Sequence, residues 1–143
     1  MRLIRFIMNF IGIQNSASGI ILKNGKVLLT KRSKAIVEGG KWCLPGGHIK
    51  KWETAESAMI RELKEETGYD VKKIKLLFLH EEFVKRLGLH ANVFVFDIEI
   101  SGKINQNWEV SDCGWFSQVE IAKMNLAFTH KDMVNKYFKM NGK

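Results

Sequence analysis

Proline occurs once in the 143 residues, at Pro45, and cysteine twice, at Cys43 and Cys113. A chain with one proline against 12 glycines is no low-complexity linker. Two distant cysteines make neither a disulfide framework nor a CxxC metal site, and they read as free thiols in a reducing compartment. Long apolar runs are also missing. The longest, Phe6 to Ile13, is broken by Asn9 and falls short of the roughly 20 residues that a membrane-spanning helix needs. The expectation is therefore a cytoplasmic protein with no membrane partner. Arg2 and Arg5 before this stretch and Ser16-Ala17-Ser18 after it have the order of an export signal. The apolar part is too short and too polar for one, so the segment reads as an amphipathic element packed on the domain. Acidic residues are scarce at the start: residues 1–52 hold ten Lys/Arg against one acid, Glu38, whereas the other 91 residues hold 13 against 14. A basic half suits a polyanionic ligand, although charge alone fits a solvated surface or a nucleic-acid face equally well.

What is present is a globular composition, 45% hydrophobic and 27% charged, of a length that one domain accounts for. No repeat or linker divides residues 1–143. Ile20-Ile21-Leu22 and Val27-Leu28-Leu29 flank Asn24-Gly25, the dipeptide best suited to a tight hairpin turn. Trp42-Cys43-Leu44 reads as a short strand ending in a turn at Pro45-Gly46-Gly47, with a loop from His48 to Glu53. Strands are predicted at Ile74 to Phe83, at Asn92 to Ile100, where Val93 and Val95 alternate with Phe94 and Phe96, and at Cys113 to Phe116. Ser117-Gln118-Val119-Glu120 has the spacing of a capping box. A last helix is expected from a Thr129 cap, burying Met133, Val134, Tyr137 and Phe138.

The segment from Ala55 to Thr67 is the clearest helix, with Thr54 to cap it and Gly68 to end it. At 100° per residue, Glu62, Glu65 and Glu66 fall within one arc of about 100°. The i,i+3 and i,i+4 like-charge pairs cost an isolated helix roughly 0.2–0.5 kcal/mol each, and two of the acids sit where the helix dipole disfavours them. Ala55 and Ala58 leave space in the same arc, while Met59, Ile60 and Leu63 are expected to pack on a sheet. Clustered carboxylates that oppose local preference point to a hard cation such as Mg²⁺ or Mn²⁺, the bland alternative being a solvated acidic face.

From Gly47 the chain runs five residues to Glu53, then seven to Arg61-Glu62-Leu63-Lys64-Glu65-Glu66-Thr67-Gly68-Tyr69. This resembles the Nudix box of MutT-like pyrophosphohydrolases, G-x5-E-x7-R-E-U-x-E-E-x-G-U with U a bulky aliphatic residue, over residues 47–69. All seven specified identities match. Tyr69 departs at the last U, a packing position, and Trp52 stands where many members have glycine, a change that concerns the loop. The resemblance extends over most of residues 16–125 and implies an α/β (α+β) fold, the Nudix αβα sandwich with a mixed sheet flanked by helices.

The resemblance also implies a metal-dependent hydrolase that cleaves a nucleoside di- or triphosphate derivative by water attack at phosphorus. Glu62, Glu65 and Glu66 would be metal ligands, with the Gly47 carbonyl a further one, and Mg²⁺ or Mn²⁺ the cofactor. Arg61 would fix a carboxylate, Glu53 would brace the loop, and Glu62 is the expected general base. Glu109 matches a further acid supplied after the box, with Asp112 as fallback. Arg32, Lys50 and Lys51, with Lys31, are candidate phosphate neighbours from the basic half, the alternative for each being a solvated surface residue. MutT-like action on (d)NTPs or oxidised dNTPs leads. ADP-ribose or dinucleoside-polyphosphate hydrolysis is the alternative, and a non-catalytic nucleotide-binding module the third reading. The proline that marks many ADP-ribose hydrolases beyond the box is absent. A nucleic-acid partner is not expected, and self-association is open between monomer and homodimer. His48, His80, His90 and His130 lack metal-ligand spacing, and Trp42, Phe83, Trp108 and Phe128 could stack on a base, although aromatics in a small sandwich are usually core.

Overall fold

The computed structural model describes residues 3, 12–102 and 110–142. The amphipathic N-terminal segment, Trp108 and Glu109 lie outside them. The described elements are β1 (Gln14–Ile20), β2 (Leu22–Lys23), β3 (Lys26–Arg32), β4 (Trp42–Cys43), β5 (Gly46–His48), α1 (Ala55–Thr67), β6 (Asp70–Val84), β7 (Leu89–Ser101), β8 (Val110–Ser117), α2 (Gln118–Ala122) and α3 (His130–Met140), with a 3-10 turn at Lys85–Leu87. They form two four-stranded sheets. One has the order β5-β1-β7-β6 and is mixed, since β1 runs parallel to β7 and antiparallel to β5. The other pairs β3 with β2, β4 and β8, all antiparallel.

Local chemistry accounts for most boundaries. Asn24 (φ 52°) and Gly25 (φ 75°) supply the two left-handed residues that turn β2 into β3. Thr54 Oγ1 accepts from Ser57 N–H at 3.0 Å to start α1, and Gly68 (φ 80°) stops it. Ser117 and Glu120 close the expected capping box on α2. Three expectations are corrected. Gly46 and Gly47 form part of β5 rather than a turn, because their main chain pairs with β1 at Ser18 and Ala17. Ile60 is 39% exposed and belongs to neither buried core. Thr129 begins α3 without a side-chain cap, because its hydroxyl is taken by Glu82.

Alternate residues of the strands feed two cores. Ile20, Val27, Leu29, Val93 and Val95 face Met133, Val134, Tyr137 and Phe138 of α3. Ala17, Ile21, Leu28, Phe96 and Ile98 face Ala58, Met59 and Leu63 of α1. Strands buried on both sides, with a helix on each, make the αβα sandwich. Gly19 lets α1 approach β1: a Cβ there would meet Ile98 Cδ1 at 2.6 Å and Met59 Cε at 3.1 Å. The acidic arc of α1 is thereby carried against β5. Among the described residues, no helix is long and apolar enough to cross a membrane.

Candidate active site

Arg61 organises the junction of β5, the 48–53 loop and α1. Its Nη2 donates to Glu53 Oε1 at 2.6 Å and its Nε to Glu53 Oε2 at 3.1 Å, a fork that fixes the loop. Nη2 also donates to the His48 carbonyl at 3.1 Å, and Nη1 reaches Glu62 Oε1 at 2.8 Å and Glu65 Oε2 at 3.3 Å. The Lys50 N–H donates to Glu53 Oε1 at 2.8 Å. The Arg61 guanidinium, with this N–H, holds the Glu53 carboxyl at a pKa of about 2, and the Arg61 pKa rises in turn. Glu53 thus ties the 48–53 loop to α1 through Arg61, the contact a loop brace of the kind the resemblance implies would make, and stands behind the arginine from Glu62.

The three helix carboxylates share an arc but not an environment. The Glu62 side chain is 13% exposed and that of Glu65 46%, while Glu66 is buried and accepts from Gly46 N–H at 3.3 and 3.4 Å. Gly47 gives the main chain its close approach: a Cβ there would lie 2.6 Å from Glu62 Cδ and Oε1. Carboxylate and carbonyl oxygens on rigid elements suit a hard divalent ion, so the residues present fit the expected Mg²⁺ or Mn²⁺. Among the described residues, no three carboxylate, imidazole or thiol side chains close into a preformed cage. Arg61 and the Gly46 N–H supply the donors that offset the clustered charge. Asp112 is exposed and accepts from Cys113 N–H at 2.8 Å.

Arg32 lies on a second wall, joined to the first through β4. Burial raises the Cys43 pKa against the hydrogen bond to Thr30, with Glu66 adding to the rise and Arg32 opposing it. Burial, with the nearby Asp112 and Glu66 carboxylates, pushes Cys113 up to about 11. Neither thiol is a nucleophile near neutral pH. The Arg32 Nε donates to the Val37 carbonyl at 2.7 Å, and its guanidinium lies 4.9 Å from the Phe128 ring centroid. The 33–41 loop that presents Val37 is clasped by Glu38, whose side chain is 4% exposed between Arg86 at 2.6 Å and Lys41 at 2.7 Å. Arg86 first, and then Lys41, hold Glu38 at about 2 against the effect of burial. Lys51 sits 5.1 Å from the Trp52 ring centroid, on the loop side rather than beside Arg32, and Lys31 lies 5.9 Å from the Trp42 ring centroid.

Beside Phe128 is a polar group that the histidine spacing did not reveal. Thr129 donates to Glu82 Oε2 through N–H at 3.0 Å and through its hydroxyl at 2.6 Å, and therefore accepts from His80 Nε2 at 2.9 Å. His130 Nδ1 accepts from Leu44 N–H at 3.0 Å, which places the ring hydrogen on Nε2. Burial lowers the His130 pKa to about 4 despite Glu82, so the ring is neutral. The signal in the sequence was the phase of β6: Glu82 falls on the inward face with Val84, where an apolar residue would be expected. Phe83, by contrast, is 55% exposed and belongs to neither core.

Comparisons with known proteins bear on the family and the fold. The family model for the NUDIX domain matches residues 13–137. An ADP-ribose pyrophosphatase of Methanocaldococcus jannaschii is 32% identical over 126 residues, covering 87% of this chain and 72% of that protein. An 8-oxo-dGTP diphosphatase of Proteus vulgaris is 42% identical over 62 residues, 43% of this chain and 55% of that protein. Among solved structures, a MutT Nudix hydrolase from Burkholderia pseudomallei superimposes with a TM-score of 0.77 at 27% identity, over 85% of this chain and 95% of that one. The MutT protein of Methanosarcina mazei Go1, at 24% identity, shares the fold with a TM-score of 0.80 over 92% and 96% of the two chains. With the box residues assembled around Arg61 in that fold, the chain belongs to the Nudix hydrolase family.

Proposed function

We propose that the chain hydrolyses the phosphoric anhydride bond of a nucleoside di- or triphosphate derivative, with (d)NTPs or oxidised dNTPs as the leading substrates. The observation that carries this reading is the convergence of Arg61 on Glu53, Glu62 and Glu65, with Gly47 packed against Glu62. Glu62, Glu65, Glu66 and the Gly47 carbonyl are the residues that would hold Mg²⁺ or Mn²⁺, joined by Glu109 or by Asp112, which borders Cys113 with Glu66. When bound, the ion neutralises charge on the phosphoryl oxygens and polarises the attacking water. Glu62 takes the proton of that water as its oxygen bonds to phosphorus and the bridging P–O bond breaks, leaving the electron pair on the departing phosphate. Arg61 orients Glu62 for this step through Oε1. Glu53 acts through Arg61 and is a positioning residue. Arg32, Lys50 and Lys51 bind phosphates from the basic half.

The test is phosphate and pyrophosphate release from dNTPs, 8-oxo-dGTP, ADP-ribose and diadenosine polyphosphates with Mg²⁺ or Mn²⁺, comparing wild type with Glu65→Gln. Metal-dependent turnover of dNTPs or 8-oxo-dGTP, falling by at least about tenfold in the variant as a metal ligand is lost, is expected. Turnover that Glu65→Gln leaves intact contradicts the reading. ADP-ribose hydrolysis is the second reading, favoured by the likeness to the ADP-ribose pyrophosphatase of Methanocaldococcus jannaschii. ADP-ribose as the preferred member of the panel would put it first.

A further inference from the structure

β6 is the outer strand of its sheet, and one side of it carries an uncovered apolar strip. Leu76, Leu79 and Phe83 are each about half exposed, and they pair with Phe96, Phe94 and His90 of β7. Cross-strand partners share a face, and Phe96 and Phe94 pack toward α1, so the strip lies on the α1 side of the sheet. The bulge at Leu77 keeps Leu76 in phase with Leu79. From Leu76 to Phe83 the strip measures about 23 Å of strand. Helix α1 stands beside it. The flank of α1 that holds Glu62 faces Gly47 on β5, the opposite edge of the sheet, so the other flank, with Ile60 and Glu56, faces β6. Ile60 is partly exposed there as well. A contiguous apolar strip on an edge strand marks a surface built to be covered.

The segment before β1 is placed to reach it. Gln14 pairs with Ala91 and Ala91 with Glu82, so the chain enters β1 two strands from the Phe83 end of the strip, about 10 Å away at the usual strand spacing. Gly12, at φ 84°, supplies a left-handed residue for the reversal that a return over the sheet needs. Before it, Leu3, Phe6, Ile7, Phe10 and Ile11 follow the i, i+3, i+4, i+7, i+8 spacing of one helix face. Arg2, Arg5 and Asn9 fall within an arc of about 60° on the other side. As a helix, residues 1–11 would be about 16 Å long, within the length of the strip. Leu3 is helical and 69% exposed, so it too lacks cover. The charges are complementary. Residues 1–11 hold two arginines and no acid, while Glu56 on α1 and Glu81 on β6 are exposed and have no ion-pair partner among the described residues. We propose that residues 1–11 dock as an amphipathic helix on Ile60, Leu76, Leu79 and Phe83, with the arginines toward Glu56 and Glu81. Docked, the segment covers an edge that otherwise offers another chain an apolar template.

The test is a double-mutant cycle in the full chain, read by thermal unfolding, with Phe10→Ser and Leu79→Ser. Each lowers Tm by about 3 °C, the scale of one lost apolar contact in a domain of this size, and the pair lowers it little further, because both break one contact. Additive losses, or no loss in either single variant, overturn the proposal. A second readout does not depend on stability. Phe10→Cys/Leu79→Cys closes an intramolecular disulfide on mild oxidation, identified by peptide mapping, whereas Phe10→Cys/Val119→Cys, with its second thiol at an exposed residue of α2, does not. Equal cross-linking of the two pairs, or none in either, overturns it. A cross-linked dimer does the same, because it puts a second copy on the strip. Co-sedimentation of wild type with phosphatidylcholine/phosphatidylglycerol vesicles that Phe10→Ser abolishes also overturns it, because it gives the segment to a lipid surface.

Discussion

At the scale of single residues, Arg61 is the keystone of the box, and the acid dependence of stability follows from what it holds. The Glu53 carboxyl titrates near 4.5 when unconstrained and near 2 beside Arg61. A depressed carboxyl adds stability above its unfolded pKa and loses it as pH falls toward its folded one. The expected outcome is a Tm difference between wild type and Glu53→Gln that is constant from pH 7 to about pH 5 and shrinks between about pH 4.5 and 2. A gap unchanged down to about pH 3 would show that Arg61 does not hold this carboxylate. The seven box identities were legible because each has a fixed offset. The division of labour among the acids was not, since a helical wheel sets Glu65 and Glu66 about 100° apart at the two edges of one arc without telling which edge meets the strands: Glu66 is buried on Gly46 N–H and Glu65 stands half exposed. Trp52 was visible as a departure from glycine, and its φ of 72° gives that departure a physical meaning.

At the scale of elements, helix α1 and the Asn24-Gly25 hairpin could be read because their signals are local: a cap, a stop and two left-handed residues. β5 could not, since Gly46 and Gly47 carry turn chemistry and become a strand only by pairing with β1, far away in sequence. The same holds for the 33–41 loop. Its clasp joins Glu38 to Arg86 of the 85–87 turn, and no spacing rule links the two. Because Val37 of this loop orients Arg32, Glu38→Gln is expected to raise the KM for the nucleotide about fivefold with kcat little changed, a loss of about 1 kcal/mol. Arg86→Gln should do the same, and the double variant should add little, because both break one contact. Steady-state kinetics on the three variants checks this. An unaltered KM would mean that the loop does not position Arg32.

At the scale of the whole molecule, two apolar cores sandwich paired sheets between α1 and α3, and that packing sets the acidic face of α1 against β5. The alternation of Val93 and Val95 with Phe94 and Phe96 announced strands buried on both sides, although the split into two sheets arises only from long-range pairing. The fold brings Glu62, Glu65 and Glu66 onto one face with Arg61 and the Gly46 N–H as their donors, and a divalent cation is the further partner proposed for these carboxylates. The most direct test is therefore binding of Mn²⁺, followed by loss of the free-ion electron paramagnetic resonance signal, for wild type and for Glu62→Gln/Glu65→Gln. Depletion of the free ion by wild type and its near absence in a variant of unchanged circular dichroism is the predicted result. Equal Mn²⁺ binding by the two proteins would contradict the assignment of these carboxylates as the metal centre.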